Sequence, residues 1–237
     1  MPQGERKQMN FPCRIAISIA ILATVTFASA QTSAARKAIQ TKDGKTIITA
    51  SSHANTPYVD VSNGLKAIYS NLATDYPKGL YWCCEGATIS GPKNPPLFIE
   101  WWHAAAFTPT ADATVKEIVV SIGYLSGNVT SVILSLNADN NGIPGDALVQ
   151  WTLSDLGSAG TCCTVQTKSS SGVPVTAGTQ YWVTVTTGPD SDINASWNVA
   201  DNDQIDNFLN AGLTNQNDNG WLASPTSPNV VFAVLGQ

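Results

Sequence analysis

Asn137, Asp139 and Asn141 place three oxygen-bearing side chains on alternate positions and run into Gly142, the spacing with which the first half of a calcium loop wraps an ion before a sharp turn. The second half of such a loop is missing, because Leu148 stands where a bidentate Glu would be needed, and Pro144-Gly145 reads as a tight turn. A structural turn is the plainer reading. Calcium held by Asn137, Asp139 and Asn141, with Asp146 as an extra ligand, is the alternative. Asp201, Asp203 and Asp206 form a second acidic cluster, read as a solvated loop because no motif surrounds it.

Aromatic chemistry is the second possibility. Trp101-Trp102 lie between Glu100 and His103, and Trp197 and Trp221 add two more of the chain's seven indoles. Indole faces beside Asn, Asp and Gln can stack on sugar rings while the amides bond to hydroxyls, and core packing is the competing use. Adjacent residues on a strand point to opposite faces, so one of Trp101 and Trp102 is expected to face away from the core. Catalysis has little support: there is no G-x-S-x-G, no H-E-x-x-H, and only two histidines, His53 and His103. A glycosidase needs two carboxyls across a cleft, and nothing in the spacing of Glu85, Glu100 and Glu117 selects a pair. The chain is expected not to be an enzyme and to need no cofactor, calcium aside.

Two adjacent cysteine pairs, Cys83-Cys84 and Cys162-Cys163, allow three disulfide connectivities. Cross-links between the pairs are the favoured reading. They would close long loops, the first bond stabilising by about 4 kcal/mol. Vicinal bonds are the strained alternative, and zinc is weaker still because adjacent thiolates chelate one ion poorly.

The compartment that would allow disulfides is written at the start of the chain. Arg6, Lys7 and Arg14 precede an apolar run from Ile15, which closes on Ala28-Ser29-Ala30. That order is an export signal with a cleavage site, and the run is shorter than the roughly 20 residues that span a bilayer. Residues 1–30 are therefore expected to be removed, and the mature chain to be secreted or periplasmic with no membrane span. Cleavage takes away Arg6, Lys7, Arg14 and Glu5 from totals of 12 Lys+Arg and 17 Asp+Glu, leaving a net charge of −7. Such a field repels nucleic acid, and no basic cluster offsets it. An extracellular glycan or surface protein is the expected partner.

Residues 31–65 are polar without sustained periodicity and read as a flexible lead-in. Residues 66–237 read as one domain of short strands separated by turn chemistry. The strongest strand signals are Leu97 to Phe107, Thr114 to Leu125, Val129 to Leu136, Ala147 to Leu153, Gln180 to Thr187 and Val230 to Leu235. Alternation assigns Ile118, Val120 and Ile122 to one core face, and Val132, Leu134 and Leu136 to another. It also sets Tyr181, Val183 and Val185 opposite Trp182 and Thr184. The fold class is all-β, a single antiparallel β-sandwich.

Several stretches in this order resemble a known family: Ala106-Phe107-Thr108-Pro109, Ser135 through Gly145, Gly172 through Val183, then Trp197, Asp203-Gln204, Gly220-Trp221 and Phe232 through Gly236. Together they resemble the bacterial choice-of-anchor R type of exported β-sandwich domain, across most of residues 66–236. The resemblance implies a jelly-roll-like secreted domain with no established activity, and it supplies no catalytic residues. The expected function is a secreted, non-catalytic binding or surface-interaction module, with carbohydrate as the leading ligand. A structural or adhesive extracellular protein is the first alternative and a hydrolase on a jelly-roll scaffold the second.

Overall fold

The structure is a computed structural model that describes residues 37–40, 45–49, 64–72, 81–96, 98–160, 166–200, 213–217, 219–223 and 230–237. Fifteen strands run through these residues: β1 (Lys37–Gln40), β2 (Lys45–Thr49), β3 (Lys66–Ser70), β4 (Tyr81–Ser90), β5 (Trp101–Phe107), β6 (Ala113–Val120), β7 (Ile122–Ser126), β8 (Val132–Asp139), β9 (Pro144–Leu153), β10 (Gln166–Val175), β11 (Tyr181–Thr186), β12 (Asn194–Ala200), β13 (Leu213–Gln216), β14 (Trp221–Ala223) and β15 (Phe232–Gly236). Eleven of them form one sheet with a central order β1-β2-β4-β5-β11-β8-β9, to which β12, β7, β13 and β14 attach at the sides. The order β10-β6-β15-β3 makes the second sheet. All pairings between named strands are antiparallel, so the protein is an all-β antiparallel sandwich. Among the described residues no helix is long and apolar enough to cross a membrane.

The core sits between the sheets, where the alternating faces predict it. Ile118, Val120 and Ile122 join Val132, Leu134 and Leu136 and the set Tyr181, Val183, Val185 in one buried cluster. Aromatic rings tie the layers together: Phe107 of β5 lies 5.8 Å from Tyr69 of β3 and meets Phe232 of β15 edge-on at 6.4 Å. Burial pushes the Tyr69 hydroxyl up to about 12.

The stretch Thr114 to Leu125 is two strands rather than one. Ser121 is the corner at which the chain leaves the small sheet as β6 and enters the large one as β7. Its carbonyl accepts Asn198 N–H at 2.9 Å and its Oγ accepts Asn198 Nδ2 at 2.8 Å, so the corner is bonded to β12. The lead-in also contains more structure than its polarity indicates. β1 and β2 form a hairpin, and β2 pairs with β4 from Lys45↔Ala87 to Ile47↔Glu85. Ile39, Ile47, Ile48, Thr46 and Thr49 supply the β-branched residues that favour this pairing. Cys83 and Cys84 fall on β4, but their side chains, like Cys162 and Cys163 altogether, lie outside the described residues.

Candidate functional site

Strand β5 carries residues of opposite character on its two faces. Ala105 and Phe107 enter the core, whereas Trp102, Ala104 and Ala106 point to the outer face of the large sheet. Neighbouring strands continue this outer face in register. Ala106 pairs with Trp182, which pairs with Asn137; Ala104 pairs with Thr184, which pairs with Ser135. On the other side Trp102 pairs with Asn215 of β13, and Asn215 pairs with Trp221 of β14.

The centre of this face is tightly organised. Ala104 and Ala106 are small enough to let an indole lie over them, and Trp182 does so, 3% exposed, with Trp221 packed beside it. The Trp182 Nε1 donates to Asp139 Oδ1 at 2.7 Å, and Gln180 Nε2 donates to the same oxygen at 2.8 Å. A polar ladder runs alongside: Ser135 Oγ and Thr184 Oγ1 lie 2.5 Å apart, so one donates to the other while the second donates to Asn137 Oδ1, and Asn137 Nδ2 donates to Gly145 O at 2.8 Å.

The four residues of the calcium alternative lie on this β8–β9 hairpin, but the oxygens of Asn137 and Asp139 serve the protein. Asn137 is committed to the ladder. Asp139 also accepts Gly142 N–H at 3.2 Å, and these donors, Trp182 first, hold its carboxyl below the usual carboxylate range. Asn141 and Gly142, with φ of 55° and 88°, are the two central residues of the hairpin turn, closed by Asn140 N–H to Ile143 O at 2.8 Å. Two positive φ values are what a type I′ turn requires, and Asn-Gly is its preferred pair. The tight turn is therefore Asn141-Gly142 rather than Pro144-Gly145. Pro144 is instead the first residue of β9, a position where a strand tolerates its missing N–H. Asp146 is exposed on β9. Among the described residues no group of three His, Cys, Asp or Glu side chains is arranged to hold a metal ion.

The four tryptophans singled out from sequence divide in two. Trp197 is 0% exposed, meets Phe232 edge-on at 6.4 Å and donates Nε1 to Val231 O at 2.8 Å, so it belongs to the core and offers no face to a ligand. Trp101, 4% exposed, is also enclosed. Trp102 and Trp221 are half-buried on the outer face, and Trp102 is held by Nε1–H to Thr187 Oγ1 at 3.1 Å. Of the carboxyls weighed for hydrolysis, Glu100 immediately precedes β5, Glu117 lies on β6 of the other sheet and Glu85 has its side chain outside the described residues; Asp201, Asp203 and Asp206 of the acidic cluster lie outside them altogether.

Between Trp102 and Trp221 stands Asn215, which sequence reasoning did not single out. It is 3% exposed, and its Oδ1 is among the buried polar atoms left without a hydrogen-bond partner among the described residues. The hairpin that presents it is pinned at its turn, where Asn217 Oδ1 accepts Glu100 N–H at 3.0 Å and Asn217 N–H donates to Glu100 O at 3.1 Å. Trp102, Asn215 and Trp221 thus form one row across three strands, the indoles two strand spacings, about 10 Å, apart at the backbone. The indoles of such a row can stack on flat rings. No protein-family model, curated protein or solved structure matches this chain.

Proposed function

We propose that the chain is an exported, non-catalytic binding module that holds a carbohydrate on the outer face of its large sheet. One observation carries this reading: two half-buried indoles, Trp102 and Trp221, stand in one register row on the outer face of the large sheet, with Asn215 between them. Indoles supply flat apolar area for the C–H faces of a sugar, the use to which binding sites put aromatic side chains. The basic residues, apolar run and Ala-Ser-Ala closure at the start of the chain support export, and the choice-of-anchor R resemblance is in keeping with an extracellular role.

Titration of the purified protein against a panel of soluble polysaccharides, followed by tryptophan fluorescence and calorimetry, tests the reading. Binding should fall at least tenfold, about 1.4 kcal/mol, in Trp102→Ala and in Trp221→Ala. Absence of heat and of spectral change across the panel would reject it. The structural or adhesive reading draws on a different observation, the enclosure of Trp101, Trp182 and Trp197, which makes half of the described indoles part of the scaffold.

A further inference from the structure

We infer that Asn219-Gly220, at the turn of the β13–β14 hairpin, is a self-modification site at which the chain deamidates spontaneously, an inference independent of what the outer face binds. The asparagine amide is thermolabile, and a following glycine, without a side chain, is the least hindered neighbour for the reaction. The Gly220 nitrogen loses its proton and attacks Asn219 Cγ. That N–C bond forms, the Cγ–Nδ2 bond breaks, and the amide nitrogen leaves as ammonia with the proton. Water then opens the cyclic imide at either carbonyl. One product is aspartate in an unaltered main chain; the other is isoaspartate, whose main chain runs through the former side chain and is one carbon longer.

The chain holds three Asn-Gly pairs, and the described residues include two of them whole, Asn141-Gly142 and Asn219-Gly220; Asn63 of the third lies outside. Both whole pairs are exposed, both glycines have positive φ, of 88° and 91°, and a Cβ on either would meet nothing within 4 Å. Hydrogen bonds distinguish them. Closing the ring turns the peptide that follows the asparagine, so it must break whatever holds that glycine N–H. At Gly142 the N–H donates to the Asp139 carboxylate at 3.2 Å, whose charge also opposes loss of the proton. Asn140 N–H to Ile143 O closes that turn between two long strands. Among the described residues no hydrogen bond engages the Gly220 N–H, and the bond from Asn219 N–H to Gln216 O at 3.2 Å lies ahead of the peptide that turns. β14 is three residues long and pairs with β13 alone, so local opening there is easy. Either product places a carboxylate immediately before Trp221, and isoaspartate also lengthens the hairpin that sets Trp221 opposite Asn215.

The test incubates the full chain at mildly alkaline pH and reads digested samples over time by mass spectrometry, with chromatography separating aspartate from isoaspartate. The peptide holding Asn219 should convert about tenfold faster than the peptide holding Asn141, the ratio expected when one turn must break its hydrogen bonds and the other need not. In strong urea, where neither turn persists, the two rates should converge. Asp139→Ala should speed conversion of Asn141 while Asn219 keeps its rate, and Asn219→Gln should remove the fast product. Circular dichroism checks that each variant folds, and the comparison of folded chain with urea needs no variant. Equal rates in the folded chain, a faster Asn141, a preference that persists unchanged in urea, or an Asn141 rate unmoved in folded Asp139→Ala overturns the inference.

Discussion

Asp139 shows how one side chain can look like a ligand and act as a brace. Its Oδ1 takes N–H groups from Trp182, Gln180 and the backbone of Gly142, so it closes the β8–β9 turn and fixes the indole that covers Ala104 and Ala106. Asp139→Ala would cost the Trp182 N–H its acceptor, and because Asp139 is itself exposed, water takes up part of the bond, leaving a loss of about 1 kcal/mol. Urea unfolding should read that loss, and Asp139→Asn, which keeps an oxygen acceptor, should recover part of it. Calcium would have to displace these donors to bind. Equal urea midpoints with millimolar calcium and with chelator are therefore expected, and a midpoint raised by calcium would return Asp139 to the role of ligand. The sequence displayed the oxygen spacing openly, but an ion and three N–H donors ask for the same oxygens. Only the position of Trp182, on the neighbouring strand but 43 residues from Asp139 in sequence, decides between them.

At the level of elements, the β8–β9 hairpin depends on a turn whose central residues both have positive φ. Adding a methyl group at Gly142 meets nothing within 4 Å, so the cost of Gly142→Ala is the left-handed backbone alone, about 1 kcal/mol. Gly123 on β7 is a different case: a Cβ there would lie 2.5 Å from the Ala159 Cα, and backbone cannot step aside. Gly123→Ala should cost about 3 kcal/mol or more by overpacking. Chemical denaturation of the two variants side by side checks the order, and comparable losses would contradict it. The strands found by alternation, such as β8 and β11, carry large apolar residues on one face, which is why their core sides were legible. β4 and β12 were not legible, because their second face consists of Gly86, Thr88, Ser90, Asn194, Ser196 and Asn198, residues that read as turn chemistry yet are buried here. Gly86 explains how: Ser196 Oγ lies 2.0 Å from where its Cβ would be, so the strands meet only because that side chain is absent. The same limit applied to the site. Trp182 and Thr184 were correctly set opposite the core, whereas Asn215 belongs to a four-residue strand with no apolar period, and its meaning comes wholly from pairing with Trp102 and Trp221.

Across the whole molecule, the balance of buried and ionised groups sets an acid limit on stability in two separate steps. His103 is enclosed in the large sheet with Nε2 unpartnered, and burial lowers it to about 4, partly offset by its hydrogen bond to the Thr88 backbone. Because the folded value lies below the ordinary 6.5, the unfolded chain binds a proton that the folded protein refuses as pH falls from about 6.5 to about 4. Stability is therefore full above that window and declines through it, by a total on the order of 3 kcal/mol for a shift of this size. Asp139 and Asp192 act lower down. Trp182 and Gln180 hold the first below its ordinary value, and the backbone N–H groups of Val129 and Asn128 hold the second, so their contributions persist above about 3.8 and vanish as pH drops through their folded values. Unfolding free energies measured from pH 7 to pH 3 should show a decline beginning near pH 6.5. In His103→Gln the slope between pH 6.5 and 4 should flatten, whatever the variant's stability at pH 7, while the steeper acid loss below it remains. A slope retained in that variant would assign the proton uptake to His53, the chain's other histidine, and remove His103 from the account of acid sensitivity.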